Sequence, residues 1–112
     1  DLSEENPTYN DIVMRTRNGG ETWEVCSPSD DTITHYYDIS VLDEKTCWIT
    51  AVTRNSKGKI LFTNDGGVTW TCQYSSLHIP YQYFFWGIDF IDKNTGWALG
   101  SDYYDVGYSN IY

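Results

Sequence analysis

Hydrophobic and aromatic residues occur along the chain in short runs, each bounded by turn-forming residues such as Gly, Asn, Asp and Ser. Between residues 36 and 75 this pattern predicts four β-strands, because each run is rich in β-branched and aromatic residues. The turns between the runs are short, which favours antiparallel pairing of neighbouring strands. The predicted strands span 37–42, 47–53, 59–64 and 69–75.

Two sequence motifs recur along the chain at nearly constant spacing. The segment TRNGGETW at 16–23 aligns with TNDGGVTW at 63–70, an offset of 47 residues. The segment ISVLDEKTCW at 39–48 aligns with IDFIDKNTGW at 88–97, an offset of 49 residues. Because the two motifs alternate, one repeat unit contains one of each. A period of this length fits the four-stranded blade of a β-propeller.

The chain is therefore predicted to be all-β, with four-stranded antiparallel blades of a β-propeller. Residues 12–27 are expected to end one blade, 36–75 to form a complete blade and 84–112 to begin the next. The whole range 1–112 would then contain about two and a half blades, whereas propellers close with four to eight. We expect either an incomplete propeller within a longer chain or one part of an assembly of several copies.

Both eight-residue segments resemble the Asp-box, also called the BNR repeat. The second motif, at 88–100, sharpens the similarity to propeller repeats of the photosystem II assembly/stability factor family. Sortilin-type receptor propellers, sialidases and xyloglucan-cleaving glycosidases also contain Asp-boxes, so the resemblance implies the blade rather than one function. The box positions are Thr16, Asn18, Gly20, Thr22 and Trp23 in the first segment and Thr63, Asp65, Gly67, Thr69 and Trp70 in the second.

The residue types of the box indicate a structural role. The short side chains of Asn18 and Asp65 can accept hydrogen bonds from backbone N–H groups of the turn, and glycine permits left-handed backbone. Trp23 and Trp70 are expected to pin each hairpin to its sheet. A catalytic or metal-binding role for Asp65 is the less favoured alternative, since the resemblance places the box at the outer edge of a blade.

Composition and charge narrow the range of partners. The chain has 19 aromatic residues, which suits an all-β fold, and a formal net charge of −9 with only seven Lys and Arg. Phosphate binding needs clustered cations, so we expect no nucleic-acid partner. The sequence contains no run of about 18 apolar residues, so no membrane insertion is expected. An acidic surface is consistent with a secreted or cell-surface protein.

Cysteine and histidine spacing argues against a bound metal. Cys26, Cys47 and Cys72 form no CxxC pair, and the chain has two histidines, so no metal site and no cofactor are predicted. Cys26 and Cys72 follow a box tryptophan by three and two residues, which would point them to opposite sheet faces. A bridge between these two is expected to be strained, while bridges to another subunit or to other sequence remain open.

Three aromatic clusters are the best candidates for ligand binding, since aromatic side chains on loops stack on sugar rings or anchor a protein. The clusters at 35–37 and 81–86 are expected to precede the first strand of a blade, on the loop that enters it, and Tyr103 and Tyr104 with Tyr108 are expected in the loop between the second and third strands. Packing between blades is the alternative, and is favoured for Phe84, Phe85 and Trp86. The acidic residues Asp30, Asp31, Asp102 and Asp105 match no calcium loop and are expected in solvated loops. The candidate binding residues are Tyr36, Tyr37, Tyr81, Tyr83, Tyr103 and Tyr104.

Three functions remain open from the sequence. The favoured one is a non-enzymatic, secreted or cell-surface module that binds a protein or glycan, or acts as a scaffold. The second is a fragment of a glycoside hydrolase of sialidase or xyloglucanase type, for which Asp38 and Asp89, at aligned first-strand positions, are the candidate inward carboxylates. The third is a subunit of an extracellular fibre or surface layer, with self-association or further blades as partners. No catalytic residue is assigned.

Overall fold

The computed structural model describes residues 10–76 and 81–104, and for residues 81–83 and 103–104 it describes the backbone alone. This part of the chain is all-β and contains no helix, as predicted. Its strands form three antiparallel sheets, in the orders β1-β2, β3-β4-β5-β6 and β7-β8, and the described sheets do not close into a ring. The strands are β1 (Met14–Arg15), β2 (Glu24–Val25), β3 (Ile33–Val41), β4 (Cys47–Thr53), β5 (Gly58–Thr63), β6 (Thr71–Ser75), β7 (Tyr81–Asp92) and β8 (Thr95–Tyr104).

The central sheet contains the four predicted strands in the predicted order. β4 has the predicted limits, and β5 is shifted by one residue. β6 begins at Thr71, later than predicted, because the backbone N–H of Thr69 is bonded to Asp65 within the turn. β3 begins at Ile33, four residues before the prediction, since its ladder with β4 continues to the pair Ile33–Thr53.

The expectation that the aromatic clusters lie in loops is wrong. His35, Tyr36 and Tyr37 lie within β3. The clusters at 81–86 and 103–104 lie in β7 and β8, whose ladder pairs Tyr81 with Tyr104. Aromatic residues have high strand propensity, and here they extend the pairing instead of ending it. Residues 105–112, which include Asp105, Tyr108 and the last part of the segment expected to begin a further blade, lie outside the described residues.

One face of the central sheet forms a compact apolar core. The buried cluster combines residues of β3, β4 and β5, and Val13, the residue before β1, packs against it. Such burial of aliphatic side chains is the main favourable term in folding. The cluster consists of Ile33, Ile49, Ala51 and Leu61, with Val13, Tyr36 and Trp70 packed against it.

The opposite face of the central sheet packs on β7 through Trp48. This side chain is 0% exposed and stacks on Phe90 with a centroid distance of 3.7 Å. Its Nε1 donates a hydrogen bond to Oε1 of Gln73 at 3.1 Å, so the buried indole has its polar partner. At the equivalent repeat position Trp97 is 62% exposed. One position of the repeat therefore has two very different environments.

Side chains of β3 also bind the backbone of β7. Oδ2 of Asp38 accepts a hydrogen bond from the N–H of Ile88 at 2.9 Å. Oγ of Ser40 accepts one from the N–H of Phe90 at 3.0 Å. Both bonds span 50 residues and advance by two positions on each strand, so β3 and β7 run in the same direction. The starts of both strands therefore lie at one end of the sheets, and the two glycine-rich turns lie at the other.

We call these the tyrosine-bearing end, where β3 and β7 begin and β4 and β8 end, and the turn end, which carries residues 16–23 and 63–70.

No helix in the described part of the chain has the length and apolar character needed to span a membrane.

Candidate functional site

The two turns at 16–23 and 63–70 have the same pattern of internal hydrogen bonds. In the first turn, Oγ1 of Thr16 accepts from the N–H of Gly20 at 2.9 Å, and Oδ1 of Asn18 accepts from the N–H of Thr22 at 3.0 Å. In the second, the equivalent bonds join Gly67 to Thr63 at 2.9 Å and Thr69 to Asp65 at 2.9 Å. The expected acceptor roles of Asn18 and Asp65 are confirmed as hydrogen bonds of these turns.

Glycine is required at the centre of both turns. Gly19 and Gly20 have φ values of 74° and 95°, and Gly66 and Gly67 have 73° and 91°. A side chain disfavours this left-handed region, so these positions restrict the sequence to glycine.

Asp65 is committed to its own turn. Hydrogen bonds from the Thr69 hydroxyl, the Thr69 N–H and the Thr63 hydroxyl hold the pKa of this carboxyl at about 2, below its ordinary value of 3.8. Its two oxygens lie 2.8 Å from Oγ1 of Thr63 and 2.5 Å from Oγ1 of Thr69. A carboxylate held in this way is a poor general acid, because it stays ionised far below neutral pH.

The two turn tryptophans differ in what they contact. Nε1 of Trp70 donates to the backbone oxygen of Cys26 at 2.8 Å, which ties the second turn to the β1–β2 hairpin. Nε1 of Trp23 donates within its own turn, to the oxygen of Gly20 at 3.1 Å, and Trp23 is 55% exposed. The expectation that each tryptophan pins its hairpin to a sheet is thus confirmed for Trp70, which packs against the core, and is wrong for Trp23, which is mostly exposed and bonds within its own turn.

The two carboxylates considered for glycosidase chemistry have different environments. Asp38 is half-buried and accepts a hydrogen bond from the N–H of Ile88, which joins β3 to β7. Asp89 is exposed and lies opposite Trp97 in the β7–β8 ladder. The structure therefore gives Asp38 a role in holding two sheets together.

The binding candidates on β3 fall into two groups. Tyr37 is 53% exposed, and its ring lies 6.3 Å from that of His35. Tyr36 is half-buried against the core, and burial raises its pKa. Tyr37 is thus available to a ligand, whereas Tyr36 packs. For Tyr81, Tyr83, Tyr103 and Tyr104 the structure describes the backbone positions in β7 and β8, and their side chains lie outside the described part.

The tyrosine-bearing end also contains an open cavity of about 390 Å³. Nη1 of Arg54 donates to the backbone oxygen of Asp31 at 2.8 Å, and Nζ of Lys59 binds Oδ2 of Asp30 at 2.6 Å. Burial raises the pKa of Asp30, but hydrogen bonds from Lys59 and Thr32 outweigh it and bring the pKa to about 2. The cavity is lined by Thr32, Thr53, Arg54, Asn55, Lys57, Lys59 and Ser75.

Sequence reasoning missed this cavity, which we call the donor cavity. The signal is the local charge, because Arg54, Lys57 and Lys59 are three of only seven cationic residues in the chain. The turn beside them is also unusual, since Ser56 has a φ of 65° without being glycine. Residues in sparsely populated backbone regions often occur at binding sites.

A second cavity, of about 820 Å³, separates the β1–β2 hairpin from the central sheet. Its apolar wall includes Val13, Ile39 and Trp70, and both Cys26 and Cys47 line it. We call it the inter-sheet cavity. Among the described residues, no group of three or more His, Cys, Asp and Glu is arranged to hold a metal ion.

Comparisons of the chain with protein-family models, with curated proteins and with solved structures found no match.

Proposed function

We propose that the chain is a non-enzymatic binding segment of the Asp-box propeller type, secreted or at the cell surface, and that its tyrosine-bearing end holds a protein or glycan. The observation that carries this proposal is the contrast between the two ends of the sheets. At the turn end, Asp65 is engaged within its own turn. At the opposite end lies an open cavity lined by Arg54, Asn55 and Lys57, and Tyr37 on β3, the strand that begins at this end, is 53% exposed.

An exposed aromatic ring and hydrogen-bond donors suit both carbohydrate and peptide ligands. An aromatic face stacks on a sugar ring or packs against a side chain, and a few polar groups fix the orientation of the ligand. Tyr37 supplies an exposed ring on β3, and Arg54, Asn55 and Lys57 supply donors at the donor cavity. The paired ends of β7 and β8 add four further tyrosine positions to the same end of the molecule.

The test is a glycan array followed by titration of any ligand found, with binding to candidate extracellular proteins as a parallel screen. We expect Tyr37→Ala and Lys57→Ala each to weaken binding about tenfold, the effect of losing one good contact. Trp23→Ala is the matched control, because it removes an exposed aromatic residue at the turn end. Equal losses in Tyr37→Ala and Trp23→Ala would contradict the placement of the site.

The scaffold function has one observation in its favour. The β7–β8 sheet exposes Ile91, Trp97 and Leu99, each more than half accessible. Exposed apolar side chains that cluster on one sheet mark contact surfaces. Trp97 also occupies the repeat position at which Trp48 is covered by Phe90, so a further sheet of the same type would bury it.

Sedimentation equilibrium over a range of concentrations tests this second function. Self-association through the exposed sheet predicts a mass that rises with concentration and a marked reduction of that rise in Trp97→Ala. Val68→Ala is the control, since Val68 is an exposed apolar residue at the turn end. A mass that stays at 13.0 kDa at all concentrations would leave the ligand-binding function as the only one supported.

A further inference from the structure

Cys26 and Cys47 line the inter-sheet cavity from its two sides. Cys26 directly follows β2, and its N–H donates to the backbone oxygen of Val13 at 2.8 Å within the hairpin. Cys47 is the first residue of β4. Since the neighbouring Trp48 packs toward β7, strand alternation directs Cys47 to the opposite face, the one that the hairpin covers. The two thiol groups thus belong to different sheets and share one cavity.

The second turn connects the surroundings of the two cysteines. A Cβ placed on Gly67 would lie 3.1 Å from both Cβ and Sγ of Cys26, so Cys26 packs directly on this glycine. The N–H of Gly67 binds Oγ1 of Thr63 at 2.9 Å, and Thr63 is paired with Cys47 in the ladder of β4 and β5. Paired Cα atoms in such a ladder are about 4.5–5.5 Å apart. Cys26 and Cys47 therefore both lie next to residues of the same turn.

The electrostatics agree with this proximity. Burial raises the pKa of the Cys47 thiol to about 11, and the charge of a Cys26 thiolate adds to the increase. Burial also raises the pKa of Cys26, while Arg15 lowers it. Cys72 has a different environment, because it is exposed on β6 and its Sγ contacts the oxygen of Tyr74 at 3.3 Å.

We propose that Cys26 and Cys47 form an intramolecular disulfide that joins the β1–β2 hairpin covalently to the central sheet. Both are free thiols in this structure, which would then be the reduced form. A small-molecule disulfide such as oxidised glutathione supplies the oxidant. One protein thiolate attacks it, releases one glutathione thiol and forms a mixed disulfide, and the second protein thiolate then displaces the other glutathione. Two protein thiols are oxidised, and one disulfide is reduced to two thiols.

The link would close a loop from residue 26 to residue 47, which restricts the unfolded chain and stabilises the folded one. It would also fix the hairpin, which is otherwise tied to the second turn by the Trp70–Cys26 hydrogen bond and by a hydrogen bond from Arg15 to the oxygen of Gly66. We expect the oxidised chain to melt roughly 10 °C above the reduced chain, the shift that a loop of this length predicts.

The direct test is intact-mass measurement and peptide mapping of the wild-type chain after incubation with oxidised glutathione. We expect a loss of about 2 Da, from the removal of two thiol hydrogens, and a cross-linked peptide pair that contains Cys26 and Cys47. Dithiothreitol should reverse both changes. Mapping needs no substitution, so it stays decisive even where a variant folds poorly. A bridge between Cys26 and Cys72, or stable glutathione adducts on both Cys26 and Cys47, would overturn the proposal.

Substitutions in a Cys72→Ser background supply the stability readout. The Cys72→Ser chain should keep the rise in melting temperature on oxidation, because Cys72 lies outside the cavity. Adding Cys47→Ser should abolish that rise and leave a single glutathione adduct on Cys26. Cys26→Ser in the same background is the matched control. It should also abolish the rise and leave a single glutathione adduct, on Cys47. A rise that persists in either double variant would show that the stabilisation has another source.

Discussion

Asn18 and Asp65 occupy equivalent positions in the two turns. Each forms a hydrogen bond with the hydroxyl of a threonine four residues later, but Asn18 donates in this bond and Asp65 accepts. Nδ2 of Asn18 donates to Oγ1 of Thr22 at 2.8 Å. In the second turn Oγ1 of Thr69 donates to Oδ2 of Asp65 at 2.5 Å. A hydroxyl group donates or accepts by rotating its hydrogen, so either partner fits. The turn therefore requires an oxygen that accepts from the backbone and accommodates either group at the second position.

This reversal predicts the outcome of two substitutions at residue 65. Asp65→Asn should melt within a few degrees of wild type, because it reproduces the bonds of Asn18. Asp65→Ala should melt clearly lower, because the N–H of Thr69 loses its acceptor. Thermal unfolding followed by circular dichroism measures both. If Asp65→Asn were as destabilised as Asp65→Ala, the charge rather than the acceptor oxygen would hold the turn.

The same pair of chains has a defined pH dependence. The pKa of Asp65 is depressed to about 2, so its contribution to stability is present above the unfolded-state pKa of about 3.9 and is lost as the pH falls through about 2. The stability of wild type relative to Asp65→Asn should therefore fall between about pH 4 and pH 2. Other carboxyls titrate equally in both chains, so the difference in stability between the two chains isolates the contribution of Asp65.

At the scale of the strand, the same repeat position is used in two ways. Trp48 on β4 is enclosed by Phe62, Phe90 and Gln73, whereas Trp97 on β8 is largely exposed. The difference comes from the packing partner, since β7 covers β4 and Phe90 supplies the stacking ring. Sequence equivalence therefore does not imply energetic equivalence.

We expect Trp48→Ala to lower the free energy of unfolding by about 3–5 kcal/mol, the usual loss for a large buried aromatic residue. Trp97→Ala should change it by less than about 0.5 kcal/mol, as is usual for exposed positions. Urea unfolding of the two variants makes the comparison, with wild type as reference. Similar losses in both would mean that Trp97 is buried in solution, as in self-association.

The hydrogen bonds between β3 and β7 make a second prediction at this scale. Ser40→Ala removes the acceptor for the half-buried N–H of Phe90 and should cost about 1 kcal/mol, the usual net loss of one hydrogen bond. Asp38→Asn keeps an oxygen for the N–H of Ile88 and should cost much less. Urea unfolding measures both, and equal losses would contradict the proposed role of the acceptor oxygen.

Asp38→Asn also tests the hydrolase alternative, because a folded variant would lose any glycosidase activity that depended on this carboxylate.

The elements that were predictable from sequence are those whose information is local. β4 was found with its limits because five of its seven residues are β-branched or aromatic. The turns were found because glycine and the acceptor side chains have fixed spacing. The start of β3 was missed because it depends on pairing between Ile33 and Thr53, which are 20 residues apart in the sequence. The donor cavity was also missed because it is formed by residues distant in sequence, at the ends of four strands.

At the scale of the whole molecule, stability is distributed unevenly among the three sheets. The central sheet buries both faces of β4. The β1–β2 hairpin has two-residue strands, and Val25 and Met14 are exposed. Local opening is easiest where few apolar contacts and short ladders hold a segment. The hairpin is therefore expected to open independently of the central sheet.

Amide hydrogen exchange followed by mass spectrometry should show this order directly. Peptides from β4 are expected to exchange slowest, near the rate set by global unfolding, and those from residues 14–25 to exchange much faster. In Trp70→Phe the hairpin should exchange faster still, because the bond from Nε1 to the oxygen of Cys26 is lost while an aromatic ring remains. Protection of the β4 peptides serves as the internal control, since a global loss of stability would accelerate them as well. Equal protection of hairpin and central sheet would mean that the three sheets unfold as one cooperative unit, with the second turn transmitting the stability of the core to the hairpin.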